Sequence, residues 1–180
     1  MRGLADVLVV IVVLEILDSG DTRAGTVIIV PVDGTRISQK SFDMALRFVK
    51  RGDDIHVVFI RSGDRSVSRV GENNPLIGDS AVEKYYKQEC EKAAMRFSGS
   101  SFAFHALPLK KGSVTDTIID YTEDVLADLI IMGSAELAKA QQMRSPGQSP
   151  RKDNIALGSV SAAVARKTQA HIIIAKHFAT

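Results

Sequence analysis

Cysteine is nearly absent from this chain, and its scarcity excludes two kinds of stabilising site. Cys90 is the only cysteine among 180 residues, so neither an intrachain disulfide nor a zinc site built from cysteines can form. The simplest interpretation of Cys90 is a small, buried helix residue. The reducing interior of the cell suits such a thiol, and we therefore expect a cytoplasmic protein.

A strong excess of charge of one sign is also absent. The formal net charge is +2, and charged residues make up 24% of the chain. This small excess predicts neither a nucleic-acid-binding nor a membrane-binding surface, so any anion site must be local. An apolar fraction of 45% in 180 residues is typical of one globular domain with a sizeable core.

Long apolar runs are missing too, although the N-terminus comes closest to having one. Residues 7–14 are continuously apolar, within a stretch from 4 to 17 that includes Asp6 and Glu15. This stretch is shorter than the ~20 residues of a membrane span, and it lacks the basic leader of a secretory signal. We interpret residues 1–25 as an extension and linker, in which a buried strand or short helix is added to the main domain.

From residue 26 to residue 180, strand-like and helix-like segments alternate. Strands that alternate with helices predict right-handed crossovers and a parallel sheet covered by helices on both faces. The strands predicted at residues 27–32 and 129–132 are continuously apolar, as expected for strands buried on two faces. The predicted strands are residues 27–32, 55–60, 102–107, 129–132 and 172–175.

Capping signals mark the ends of the predicted helices. Gly52 follows the first helical pattern, where a C-terminal cap belongs. Ser80 and Glu83 have the spacing of a capping box at the start of the second helix, and Ser113 stands at the start of the third. The fourth helix is predicted over residues 159–168.

The ends of the strands are where a ligand is expected, because open parallel sheets bind ligands near the point where strand order reverses. Strand one finishes with residues 31–35, and strand four with 132–134. Gly158 opens the fourth helix and lets the backbone approach a ligand, while the first turn offers N–H groups at a positive dipole end. The hydroxyls of Ser159 and Ser161 can donate to phosphate oxygens. A plain helix cap is the alternative interpretation.

These strand-end segments resemble the universal stress protein family. The resemblance rests on residues 32–35 (Val-Asp-Gly-Thr), 128–134 and 157–161, with a Gly-containing turn at 111–113, and it covers about residues 26–176. It implies a flavodoxin-like, doubly wound three-layer α/β/α sandwich, similar to the adenine nucleotide alpha hydrolase fold. It also implies a mainly parallel five-stranded sheet of order 3-2-1-4-5.

The same resemblance implies a bound adenine nucleotide, ATP. Asp33 would contact the ribose or the adenine, and it could hold Mg²⁺ through water, although one carboxylate does not make a metal site. The remaining residues would follow the nucleotide from base to phosphate: Pro31, Val32 and Ile60 at the base, Met132 and Gly133 beneath the nucleotide, and Gly158, Ser159, Val160 and Ser161 at the phosphates.

The family's glycine pattern is modified in this chain. Glu136 stands where the second glycine belongs, and its carboxylate would repel a triphosphate. The interval 133–158 is about 12 residues longer than the family pattern, so residues 135–157 contain an inserted loop. If the insertion displaces the motif, Gly147 takes the place of the second glycine, and Arg151-Lys152 meets the phosphate charge. Otherwise the site is degenerate and binds weakly or not at all.

A rival phosphate-binding motif is incomplete. Residues 34–41 nearly spell a P-loop, but Gln39 occupies the position of the second glycine, which lets the backbone wrap the β-phosphate. No later strand ends in an acidic residue suited to magnesium.

Catalytic and metal-binding patterns are lacking. No serine stands in a nucleophile elbow, and no residue is marked as a general base, so we name no catalytic residue and expect at most slow ATP hydrolysis or a switch role. We also predict no metal site. No metal-ligand spacing links the four histidines, which are His56, His105, His171 and His177.

Two functions of different classes remain open. The first is an ATP-binding stress-response or signalling module; the second is a nucleotide-free interaction domain with a degenerate site. In either case the resemblance implies a homodimer, which would form through the last strand, residues 171–176. Ser145-Pro146 and Ser149-Pro150 in the inserted loop suggest that phosphorylation weakens nucleotide binding; the alternative is an exposed loop in which serine and proline are simply common.

Overall fold

A computed structural model describes residues 25–61, 78–110, 113–134 and 158–175. The predicted strands are confirmed to within one residue at each end, and all four predicted helices are present. In chain order the elements are β1 (Val27–Val32), α1 (Arg36–Phe48), β2 (Asp54–Arg61), α2 (Asp79–Arg96), β3 (Ser101–Pro108), α3 (Val114–Asp124), β4 (Leu129–Gly133), α4 (Ser159–Lys167) and β5 (His171–Ala175).

The five strands form one sheet of order β3-β2-β1-β4-β5. Each pair of neighbouring strands is parallel. The chain therefore builds outward from β1 to β3, returns to the other side of β1, and continues through β4 to β5. This confirms the predicted doubly wound fold, and it puts the reversal of strand order between β1 and β4.

The core lies on both faces of the sheet, which explains why β1 is continuously apolar. Ile28 and Val30 of β1 face α1 and α2, whereas Ile29 faces α3 and α4. All three side chains are almost fully buried. The helix residues in these two layers include Phe42, Ala45, Val82, Tyr86, Cys90 and Ala93 on the first face, and Ile118, Ile119 and Val164 on the second.

Cys90 is buried on α2, as predicted. Burial raises the pKa of its thiol to about 12, with smaller contributions from Glu89 and Glu91. The thiol is therefore neutral at physiological pH and packs as a small apolar group.

The helix caps agree with prediction in one case and differ in two. Ser113 caps α3 and accepts a hydrogen bond from the Asp116 N–H at 3.1 Å. The predicted capping box at Ser80 is wrong: α2 begins at Asp79 after Gly78, without a side-chain cap, and Glu83 binds Arg61 instead, at 2.7 Å.

Gly52 does not cap α1. The helix ends at Phe48, with Val49 as its C-cap, and Gly52 lies in the following turn with a φ of 96°. The positive φ still explains why a glycine stands at this position, but the glycine allows the turn into β2 and does not end α1.

Most of the predicted N-terminal extension and all of the inserted loop, residues 135–157, lie outside the described residues. No helix in the described ranges is long and apolar enough to span a membrane.

Candidate functional site

The carboxyl ends of β1 and β4 meet at the topological switch point. The two strands are parallel neighbours, with Ile28 opposite Leu129 and Ile29 opposite Ile130. β1 is followed by the turn into α1, and β4 by Ser134. In doubly wound sheets this is the edge at which ligands bind.

Asp33 directly follows β1, and its carboxylate is held in place. Its Oδ1 accepts hydrogen bonds from the Thr35 N–H at 3.0 Å and the Thr35 hydroxyl at 2.6 Å. Gly34 between them has a φ of 81°, which permits the tight turn. Asp33 is exposed, and within the described residues its Oδ2 makes no hydrogen bond. One carboxylate oxygen is thus fixed and the other is available.

A buried hydroxyl network supports this turn from below. The Ser38 hydroxyl donates to the Thr35 carbonyl at 2.9 Å and accepts from the Asp33 N–H at 3.3 Å. Tyr86 lies 3.4 Å from the same oxygen, and because the Ser38 hydrogen is already used, Tyr86 must donate. Burial raises the pKa of Tyr86 well above its ordinary value. No pattern in the sequence marks Ser38 or Tyr86 as part of this turn; only Thr35, a residue type favoured at the N-cap and placed before a helical pattern, gives a signal.

The start of α4 is joined to the end of β4 through a glycine. The Gly158 N–H donates to Ser134 Oγ at 2.9 Å. The Ser161 hydroxyl donates to the Gly158 carbonyl at 3.0 Å, which also accepts from the Ala162 N–H. Ser134 and Ser161 are 1% and 3% exposed, so both hydroxyls belong to the interior of the domain.

The first turn of α4 lacks the groups that usually satisfy a helix start. Gly158 provides no side-chain cap, and the turn has no acidic residue. Within the described residues, the N–H groups of Ser159 and Val160 meet no acceptor. By contrast, α1 and α3 are capped by Thr35 and Ser113. The start of α4 is therefore a suitable place for an external anion.

Gly133 has a packing role that the sequence did not reveal. A Cβ at this position would lie 2.2 Å from Ile37 Cγ2 and 3.1 Å from the Ile37 carbonyl oxygen. Glycine therefore lets α1 approach β4 closely. Met132, before it, is buried on the face covered by α3 and α4.

The three residues predicted to line the base pocket do not share one face of the sheet. Val32 packs in the layer covered by α1 and α2, whereas Ile60 packs against the opposite layer. Pro31 is half-buried and pairs in register with Val58, which lies in that opposite layer.

The remaining predicted site features, namely Gly147, Glu136 and Arg151-Lys152, lie outside the described residues. Within the ranges that the structure describes, no group of three or more histidine, cysteine or acidic residues could hold a metal ion.

A second titratable cluster lies between α3 and the strands β2 and β3. His56 Nε2 is 3.0 Å from Asp54 Oδ2, and His56 Nδ1 is 2.7 Å from the Tyr121 hydroxyl. The His105 ring stacks on His56 at 5.0 Å. Although burial raises the pKa of Asp54, hydrogen bonds from Ser101 and His56 bring it below its ordinary value.

His105 is the uncompensated member of this cluster. Its Nε2 is buried and has no hydrogen-bond partner among the residues that the structure describes. Burial, and secondarily the neighbouring His56, lowers the pKa of His105, while Asp54 opposes the shift. The cluster belongs to the packing of α3 on the sheet: His56 lies near the start of β2, whereas His105 lies further along β3, in register with Val58.

Fold and site together define a doubly wound α/β/α domain whose last helix starts, without a side-chain cap, beside the topological switch point. The model of the universal stress protein family matches residues 26–176. The chain belongs to the universal stress protein family.

Solved structures support the same fold. Universal stress protein UspA from Lactobacillus plantarum is 21% identical, with a TM-score of 0.56 over 84% of this chain and 97% of that one. A universal stress protein in complex with cAMP is 16% identical, with a TM-score of 0.53 over 84% and 96%. A universal stress protein family protein from Arabidopsis thaliana with AMP bound is 14% identical, with a TM-score of 0.51 over 86% and 93%. No curated protein matches the chain.

Proposed function

We propose that this protein is a stress-response or signalling module that binds ATP at the carboxyl ends of β1 and β4. The observation that carries the proposal is the first turn of α4, which starts next to Ser134 at the end of β4. Within the described residues, the backbone amides of Ser159 and Val160 in this turn have no hydrogen-bond acceptor. Two relatives of the same fold hold AMP and cAMP, which supports an adenine nucleotide as the ligand class.

The nucleotide would lie across the switch point, with its two ends held by different elements. The free Oδ2 of Asp33 is suited to accept a hydrogen bond from a ribose hydroxyl. Backbone amides at the positive end of α4 suit the phosphates, and Arg166 and Lys167 in its last turn stabilise the opposite end of the dipole. Pro31 and Ile60 provide the apolar surface for the base, with Val32 behind them and Met132 and Gly133 beneath.

The proposed module binds ATP, with Mg²⁺ as its companion ion, and turns it over slowly or not at all. The strand-end residues include one carboxylate, Asp33, and its Oδ1 is occupied by Thr35. No imidazole lies among the strand-end residues proposed here, since the His56 and His105 cluster belongs to α3 packing. We place the module in the cytoplasm because its one thiol is a neutral, buried Cys90.

The test is direct measurement of nucleotide binding. Mass spectrometry of the protein as purified should detect ATP or AMP, and calorimetry of the stripped protein should give saturable ATP binding. Asp33→Ala should weaken ATP binding at least about tenfold, because a charge-assisted hydrogen bond is lost. Asp43→Ala, at an exposed position on α1, is the matched control and should leave affinity unchanged. A stripped wild-type chain that shows no ATP binding would overturn the proposal.

The second candidate is a nucleotide-free dimeric interaction domain, and the edge position of β5 favours it. β5 is the last strand of the sheet, and its isoleucines, Ile172 to Ile174, are only half-buried. A dimer that carries no nucleotide, and whose stability is unchanged by added ATP, would support this candidate over the first.

A further inference from the structure

The edge of the sheet at β3 has no neighbouring strand among the described residues, since β3 comes first in the order β3-β2-β1-β4-β5. The Ser101 N–H donates to the Asp53 carbonyl, just before β2, at 2.9 Å. Backbone groups of successive strand residues point to alternate sides, so those of Phe102, Phe104 and Ala106 point away from β2. They form an edge that a further strand can extend.

Most side chains of β3 are apolar, yet none of them is buried. Phe102 and Phe104 pack against the α1 and α2 layer, and Leu107 packs against the α3 and α4 layer. An open groove of about 270 Å³ lies beside the two phenylalanines and is lined on α2 by Lys87, Cys90, Glu91 and Ala94. By contrast, β1, β2 and β4 have a strand on each side and contain buried residues. A strand added beside β3 would therefore cover apolar surface on both faces of the sheet.

The sequence outside the described residues contains a segment that suits this edge. Residues 7–14 (Val-Leu-Val-Val-Ile-Val-Val-Leu) are eight consecutive apolar residues, of which six are β-branched. β-branched residues favour strands, and a continuous apolar run is typical of a strand covered on both faces. β3 also has eight residues, whereas β5 at the other edge has five. The length of the segment thus favours β3 over β5 as its neighbour.

Contacts before β1 direct the chain towards β2 and β3. A Cβ on Gly25 would overlap the carbonyl oxygen of Gly52, in the turn before β2, and the Thr26 N–H donates to Asp53 Oδ1 at 3.0 Å. The Gly52 N–H in turn donates to the Gly99 carbonyl, before β3, at 2.7 Å. The chain therefore enters the sheet beside the turns that precede β2 and β3.

The residues between the segment and β1 are long enough to reach the β3 edge. Gly25 is 11 positions after Leu14, and a chain of that length spans at most ~36 Å. A strand beyond β3 lies three strand spacings from β1, or ~14 Å. An antiparallel segment would end at the edge of the sheet where β1 begins, whereas a parallel segment would end a strand length of ~26 Å away. The short connection favours the antiparallel direction.

We propose that residues 7–14 add to the outer edge of β3 as a sixth, antiparallel strand that covers the groove between β3 and α2. The occupant of this surface is therefore a segment of the same chain, and not a second copy or another protein. An antiparallel edge strand on an otherwise parallel sheet is common in doubly wound folds. The added strand would protect the β3 edge from unspecific pairing and leave β5 free for the proposed homodimer.

Amide hydrogen exchange of the full chain, followed by NMR, tests the pairing. The outward amides of Phe102 and Phe104 should exchange at least about tenfold more slowly in wild type than in Ile11→Asp, because a buried, unpaired charge prevents docking of the segment. Ser19→Asp, between the segment and Gly25, is the matched control and should keep the wild-type protection. The Ile172 amide of β5 should exchange equally in all three proteins.

A second readout needs no variant. Nuclear Overhauser effects between α protons of residues 7–14 and α protons of β3 are expected in wild type, since antiparallel neighbours bring these protons close together. Their absence would overturn the proposal, and so would an unprotected Phe104 amide in wild type. Full protection of Phe104 in Ile11→Asp would assign the edge to another occupant, and lost protection of Ile172 would assign the segment to β5. Either result would also overturn the proposal.

Discussion

At the scale of single residues, the same glycine can be required by packing and by a ligand. Gly133 lies at the end of β4, where the family motif predicts a nucleotide contact, but the nearest neighbour of its absent Cβ is Ile37 of α1. Its role in close packing therefore does not depend on whether a nucleotide is bound. Measurements on the ligand-free protein separate the two roles.

Gly133→Ala should destabilise the ligand-free fold by about 1–3 kcal/mol, because the new Cβ would overlap Ile37 and force α1 away from the sheet. Urea unfolding followed by circular dichroism measures this loss. Ile37→Ala in the same chain should recover part of it, since the closer of the two contacts, at 2.2 Å, is with the Ile37 side chain. Wild-type stability in Gly133→Ala alone would show that α1 does not pack on β4 in this way.

At the scale of elements, α3 packs on the sheet through polar and titratable groups as well as through its apolar residues. Tyr121 of α3 contacts His56 of β2, which stacks on His105 of β3. Isoleucines 118 and 119 supply the apolar part of the same interface. The stability of this contact therefore depends on whether His105 carries a proton.

Acidification should weaken the fold through His105. Its pKa is lowered in the folded chain, so as pH falls below the unfolded value of about 6.5, the unfolded chain binds a proton that the folded chain does not. The free energy of unfolding then decreases until the pH reaches the lowered pKa. The lowered pKa of Asp54 acts in a separate window, with stability lost as pH falls below about 4.

His105→Leu tests this assignment. The variant should lose less stability than wild type between about pH 7.5 and pH 5, measured by urea unfolding at each pH. His171→Leu, at an exposed position in β5, should retain the wild-type pH dependence. If the free energy of unfolding falls equally with pH in His105→Leu and in wild type, groups other than His105 cause the acid sensitivity.

At the scale of the whole molecule, the outer edge of β5, which pairs with no other strand among the described residues, has backbone groups that suit pairing with a second copy. The His171 N–H bonds to the Asp128 carbonyl beside β4, and backbone groups of successive strand residues point to alternate sides. The N–H groups of Ile172 and Ile174 therefore point away from β4. Exposed edges of this kind invite strand pairing, which is consistent with the proposed homodimer.

Ile172→Pro should convert the proposed dimer into a monomer, because it removes an outward N–H without removing a bond to β4. Ile172→Ala is the matched control, since it shortens the side chain but keeps the N–H, and it should remain dimeric. Light scattering after size-exclusion chromatography gives the mass of each. A monomeric wild-type chain, or a dimeric Ile172→Pro, would exclude pairing through β5.

The sequence by itself determined the elements and the parallel sheet, and its resemblance to the universal stress protein family implied the order of the strands. Continuous apolar runs such as 27–32 and the helical spacings between them are local patterns, and alternation of strands and helices leaves few topologies open. For the same reason the sequence alone predicts that Asp33, Gly133 and Gly158 lie at the carboxyl edge of the sheet.

Tertiary structure alone decided how these residues are used. Glu83 binds Arg61 rather than capping α2, Ile37 explains Gly133, and Ser134 takes the N–H of Gly158. Each of these contacts joins residues from different parts of the chain, and no local pattern specifies which distant partner a carboxylate, a glycine or a hydroxyl meets. The physical reason is that helix and strand formation follow from the periodicity of neighbouring residues, whereas the site depends on distances that exist only after the layers have packed.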